Sequence, residues 1–133
     1  MSAWIYNDKE IDDESIEGYI GFVYCITNLT NQKSYIGKKL FKSTRTKKIK
    51  GKRKKVKSDS GWREYWGSNA LLQADVQELG EDSFHREILY LCKSKGTANY
   101  LEMREQIDKR VLESDHWYND QIYVRVHRSH IKL

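Results

Sequence analysis

The stretch that decides the fold is Gly21 to Gly37, GFVYCITNLTNQKSYIG. Both of its ends are rich in β-branched and aromatic residues, which suit a pleated surface. Between them lies the polar tetrad from Asn28 to Asn31, whose terminal amides favour a turn. A two-residue loop closed by Asn28 and Asn31 sets residues whose numbers sum to 59 opposite one another, so that Tyr24 faces Tyr35 and Val23 faces Ile36. Facing side chains on an antiparallel pair have Cβ atoms roughly 4.5–5.5 Å apart, close enough for two phenols to converge on one water or one substrate atom. Apolar residues on both faces put this hairpin in the middle of a sheet that helices cover on each side. Two tyrosines in strands are by themselves ordinary core filling.

Working outward, the 133 residues suffice for one domain with a modest core, and with 38% hydrophobic and 32% charged residues the chain is globular and heavily ionised at its surface. No apolar run approaches ~20 residues and the N-terminal stretch is acidic, so neither a membrane span nor a signal peptide is expected, and the expected location is the cytoplasm. Cys25 and Cys92 fall inside apparent strands without metal-ligand spacing and read as buried free thiols. His85, His116, His127 and His130 are too scattered for a zinc site.

The net charge of +5 conceals an asymmetry. Lys38 to Lys57 holds twelve Lys and Arg and no acid, which leaves the rest of the chain at −7. A neutral or acidic body with one dense basic segment suits directed contact with a polyanion. The candidates for phosphate contact are Lys38, Lys39, Lys42, Lys47, Lys48, Arg53 and, beyond the run, Arg63. Alternation of cations with Thr, Ile and Val fits a two-stranded ribbon turning at Gly51, and the segment also fits an irregular loop. Residues 1–20 form an acidic arm with six acids between Asp8 and Glu17 and an aromatic tip at Trp4 to Tyr6, placed to shield the basic segment.

Beyond the basic run, Ser68 to Leu79 has helical spacing at Leu72, Val76 and Leu79, with Ser68 or Asn69 as cap and Gly80 as stop. The aromatic stretch Trp62 to Trp66 suits packing over the sheet or stacking on bases. Phe84 to Cys92 reads as a third strand, and Lys95 to Leu112 as a helix whose buried stripe is Tyr100, Met103, Ile107 and Val111. The fold class is therefore α/β: a small, mainly antiparallel central sheet flanked by helices, with a long basic insertion over residues 38–57. The domain spans residues 21–122, and residues 123–133 form a basic tail with strand character.

Phe-Val-Tyr ending at Tyr24, ten residues, then Tyr-Ile-Gly from Tyr35 resembles the hairpin of the GIY-YIG nucleases, with Phe22 where the family usually has Gly. The resemblance extends to a Glu in the second helix and to Tyr118-Asn119 after it, covering about Gly21 to Ile122. It implies a DNA endonuclease of phage or homing type with one Mg2+ (Mn2+ as the alternative), DNA as partner and a homodimer as one arrangement open to it. Tyr24 and Tyr35 would act on the attacking water, a helix Glu would hold the metal, and Asn119 would support the site. Of the two acids available, Glu105 lies near the apolar border on the side of Leu101 and Leu112, and Glu102 turns further toward solvent. Glu105 is thus the expected ligand.

The family also places an Arg about eight residues after the glycine, on a short helix, with His one turn later. Arg45 has that spacing from Gly37 and is the expected catalytic cation holding the phosphate, although Ile49 stands at the His position. Arg53, Arg63, Lys38 and Lys39 are the other cations available. The chemistry needs an activated water, a counter-charge for the phosphate and stabilisation of the leaving 3′ oxygen. A tyrosine with a pKa near ~10 must be lowered by nearby cations to serve as base at neutral pH. Two other classes remain open from sequence: an inactive nucleic-acid-binding module on the same fold, and an inhibitor or assembly factor acting on a protein.

Overall fold

The computed structural model describes residues 3–123 and 125–133, and of Arg45 the backbone alone. Seven strands and two longer helices follow in order: β1 (Trp4–Tyr6), β2 (Lys9–Glu10), β3 (Gly21–Asn28), β4 (Ser34–Leu40), β5 (Lys42–Ile49), β6 (Lys52–Asp59), α1 (Ala70–Leu79), β7 (Phe84–Cys92) and α2 (Lys95–Asp108). The main sheet has the order β2-β1-β7-β3-β4, and β5 and β6 form a separate ribbon. All pairings are antiparallel except β1 with β7. The fold class expected from the sequence is met.

The hairpin is offset from its expected register. Tyr24 pairs with Gly37, Ile26 with Tyr35, and Cys25 with Ile36, so facing residues sum to 61 and the loop holds four residues, Leu29 to Gln32. Its geometry comes from side-chain amides: Asn28 Oδ1 accepts from Thr30 N–H at 2.9 Å and Asn31 Oδ1 from Lys33 N–H at 2.9 Å. Gln32 takes the left-handed conformation at φ 64°. An offset of two leaves every side chain on its expected face. Tyr24 and Tyr35 therefore still share a face, as diagonal neighbours.

Trp4–Tyr6, read from sequence as the tip of an arm, is a strand of the main sheet. Trp4 is 2% exposed, its Nε1–H donates to Trp62 O at 2.8 Å, and its ring meets Phe22 and Tyr24 at 5.0 and 5.2 Å. Trp62 packs in this same core, beside Leu72 and Val76 of α1.

The opposite face carries α2, whose Ala98 and Leu101 cover Val23, Ile36 and Cys92. Its buried stripe differs from the expected one, since Ile107 is 56% exposed. The helix ends at Asp108, and Arg110 at φ 53° turns the chain so that Val111 N–H donates to Gln106 O at 3.1 Å. Val111 is buried by that left-handed turn and not by a continuing helix. Asn69 caps α1 through Leu72 N–H and Gly80 ends it, as the sequence indicates. Val124, in the tail read as a strand, lies outside the described residues, and no strand occurs among described residues 125–133. No helix among the described residues is long and apolar enough to cross a membrane.

Because Trp4 lies in the core, Trp4→Ala should destabilise the protein by about 3–5 kcal/mol. Urea unfolding measures this, and an unchanged midpoint would place the N-terminal segment outside the cooperative fold.

Candidate active site

β4 is the outer strand of the sheet, so its outward backbone groups need partners from elsewhere. Ser34 N–H donates to His116 O at 3.0 Å, and Ser34 O accepts from Tyr118 N–H at 2.8 Å. Two residues on, Ile36 N–H donates to Asn119 Oδ1 at 3.0 Å, and Ile36 O accepts from Asn119 Nδ2 at 2.8 Å and Gln106 Nε2 at 3.0 Å. Two further on, the Lys38 ammonium pairs with the Glu102 carboxylate, Nζ to Oε1 at 3.7 Å. Backbone of the loop after α2, at His116 and Tyr118, and the side chains of Asn119 and Gln106 thus stand in for a further strand.

On the other face, Tyr24 is fully buried and its ring meets Tyr35 at 6.2 Å and Tyr65 at 6.0 Å. Its hydroxyl lies over Gly37, with the Tyr65 ring edge-on beside it. A Cβ added at Gly37 would come within 2.7 Å of Tyr24 Cζ and 2.9 Å of Tyr35 Cε2, and closer still to the Tyr24 oxygen. Only glycine at that place lets the phenol reach the sheet edge. The Tyr35 hydroxyl lies nearer solvent, 3.0 Å from Ser68 Oγ. Lys39 projects onto this side, with Nζ 4.3 Å from the centre of the Tyr65 ring. Beside Tyr35 and Asn119 opens a small polar cleft, walled by Ser68, Asn69 and Asp120.

Burial pushes the Tyr24 phenol well above its ordinary value, reinforced by Tyr65, Tyr35 and Glu102. Burial also raises Tyr35, against the hydrogen bond from Ser68. At neutral pH Tyr24 is a neutral phenol, opposite to the lowering that its expected role as base requires. Burial raises the Glu102 carboxyl, while Lys38 acts to lower it.

The expected site residues separate. Tyr24, Tyr35, Lys38, Lys39 and Asn119 gather at the β4 edge, and Glu105 does not. Lys38, Val23 and Tyr90 form one row across β4, β3 and β7, and Glu105 accepts from Tyr90 Oη at 2.6 Å at the β7 end of that row. Glu102 sits at the β4 end, about 10 Å away by strand spacing. The helical wheel turned Glu102 toward solvent and favoured Glu105, whereas the Glu102 side chain is 15% exposed and faces Lys38; the wheel gives the side of a helix and not the strand that each acid meets. Arg63 is held by Asp13 and by Asp59 at 3.5 Å, and stacks on Trp62 at 4.4 Å. Lys42, Lys47, Lys48 and Arg53 lie on the β5–β6 ribbon, as does the backbone of Arg45, whose side chain is outside the described part. Arg45 is therefore on a strand and not on the short helix the family expects. Sequence reasoning missed Tyr65, Ser68 and Gln106. For Tyr65 the available signal was its place among Trp62 to Trp66, read there as packing or stacking.

A family model described as "Putative endonuclease segE, GIY-YIG domain" matches residues 4–122. The chain belongs to the GIY-YIG nuclease family. Among curated proteins and solved structures, none matches. The extent of the match fits the structure, since it takes in the N-terminal β1 that the hairpin resemblance alone left out. In this GIY-YIG domain the final glycine of the hairpin is the seat of the buried tyrosine.

Gly37→Ala should therefore displace Tyr24 and cost about 1–3 kcal/mol by overpacking. It should also lower any DNA cleavage at least tenfold. Urea unfolding together with plasmid nicking measures both, and an unchanged midpoint with full nicking would contradict the close approach.

Proposed function

We propose that this protein is a divalent-metal-dependent DNA endonuclease whose reacting centre is the β4 edge around Gly37. The observation that carries this reading is convergence: phenols from one face of the sheet and a carboxylate from the other meet at the same edge strand, beside Lys38 and Lys39. Tyr35 presents the hydroxyl that solvent reaches, and Tyr24 stands behind it in contact with Tyr65. The tyrosine pair takes the proton of the attacking water, whose oxygen bonds to phosphorus as the bond to the 3′ oxygen breaks and that oxygen departs with the electron pair. Lys39 supplies charge for the phosphate oxygens. Asn119 and Gln106 fix Ile36 and hence the strand from which Tyr35 and Gly37 project.

Glu102 is the residue that would hold the metal. Its side chain is 15% exposed and faces Lys38 at the edge. No cluster of three or more His, Cys, Asp or Glu capable of holding an ion occurs among the described residues. One carboxylate with the remaining positions left to water suits Mg2+, which dehydrates reluctantly, and not zinc. When bound there, such an ion supplies counter-charge for the leaving oxygen.

Incubation with supercoiled plasmid and with phage genomic DNA tests this. Cleavage should need Mg2+ and fall at least a hundredfold in Tyr24→Phe, Tyr35→Phe and Glu102→Gln, while Glu105→Gln stays within about threefold. Equal losses in the two Glu variants would sink the assignment of Glu102, and salt-sensitive binding without cleavage would identify an inactive binding module. With chemistry rate-limiting, the rate should rise about tenfold per pH unit from pH 7 to 9.5, because the phenolate fraction grows tenfold per unit below a pKa. Burial raises both pKa values, so no plateau is expected in that window. A plateau below pH 9 would remove the tyrosine pair as proton acceptor.

A further inference from the structure

Lys42 to Asp59 forms a ribbon whose two strands pair only with each other. An isolated hairpin is marginal in water unless one face is covered. This one has no apolar face, since along β6 only Val56 is even partly buried. It is tied to the body at its base, where Phe41 N–H donates to Ile20 O and Ser60 N–H to Phe41 O. Toward the tip, Lys47 faces Lys54 and Lys48 faces Arg53 in successive pairs. Like charges directly opposite one another destabilise a sheet. Among the described residues, no carboxylate pairs with any of these four. Successive pairs project from opposite faces, so both faces of the ribbon are cationic.

Cations on one face would suit a flat anionic surface, whereas cations on both suit a slot with anions on two sides. A DNA groove is such a slot, walled by two phosphate backbones. The major groove, about 12 Å wide, admits a two-stranded ribbon, whereas the minor groove of undeformed B-DNA is about 6 Å wide and takes strands only where the duplex is bent open. Resting on the nuclease reading above, we infer that the β5–β6 ribbon enters the major groove of duplex DNA and anchors the protein there, so that its length sets how far from the contact the cut falls. Eight residues per strand at roughly 3.3 Å each extend about 26 Å. That span corresponds to about eight base pairs at ~3.4 Å each. Thr44 and Thr46, alternating along β5, bring hydroxyls that bond base edges of either polarity.

Fluorescence anisotropy with a random-sequence duplex, in EDTA and across a salt series, tests the inference on the full chain. One variant combines Lys47→Ala, Lys48→Ala, Arg53→Ala and Lys54→Ala. A second replaces residues 46–55 by Asn-Gly between the paired Arg45 and Val56, which keeps the base of the ribbon intact. Neutralising four phosphate contacts should flatten the slope of log K against log salt by about 3 to 4. Affinity at moderate salt should fall at least tenfold in both variants. Methyl green, a major-groove ligand, should compete with the intact protein, and netropsin, a minor-groove ligand, should not. Unchanged slopes in both variants, or competition by netropsin in place of methyl green, overturns the inference. Unchanged binding and cutting in both variants overturns it while leaving the nuclease reading in place. Ribbon-dependent, methyl-green-sensitive binding without cleavage in Mg2+ overturns the nuclease reading and upholds the inference.

Discussion

The close approach of the Tyr24 phenol to the backbone of Gly37 is the constraint on which the rest of the site depends. A side chain in the middle of a sheet can place its polar end at the sheet's edge only by lying across the neighbouring strand, and any Cβ on that strand would block it. Gly37 removes the obstruction, and Trp4 and Phe22 hold the ring from behind at 5.2 and 5.9 Å. The aromatic core under β3 is thus continuous with the proposed site at β4. Burying the ring fixes its place but raises its pKa, so positional order here opposes ionisation.

The edge position of β4 has a second consequence. An unpaired strand edge invites pairing with another chain, and here Asn119 and Gln106 occupy the outward groups of Ile36 while Glu102 pairs with the Lys38 ammonium. The same residues that close the edge bring a carboxylate to it. Tyr65 is fixed from a third direction. Arg86 stacks between Trp4 and Trp66 at 4.6 and 4.1 Å and donates to Tyr65 O at 2.8 Å. Burial lowers the pKa of Arg86 to about 10, which still leaves it cationic at neutral pH.

Charge is segregated along the chain. The acidic N-terminal stretch meets the body at Asp13 with Arg63, which is also paired with Asp59 at the base of the ribbon. Arg63 is therefore neutralised from two sides, while the ribbon's own lysines beyond it remain unpaired among the described residues. The densest cationic surface among the described residues is the ribbon, with Lys39 and Lys38 beside its base, the last shared with Glu102.

Much of this was legible in the residues themselves. Alternation of β-branched and aromatic residues around an Asn-bounded turn determined the hairpin, and parity alone determined that Tyr24 and Tyr35 share a face, because an offset of two preserves it. Asn69 and Gly80 marked the ends of α1, and the density of Lys and Arg marked the insertion. The register itself depended on Asn28 and Asn31 bonding backbone groups inside a longer loop, a choice between two local solutions that composition does not make. Whether Glu102 or Glu105 reaches the β4 edge was decided by where α2 crosses the sheet, since the two acids lie over one row, two strands apart. Likewise, Trp4 joined the core because β7 had a free edge for a parallel partner, a long-range pairing that no local pattern in its three-residue strand could announce.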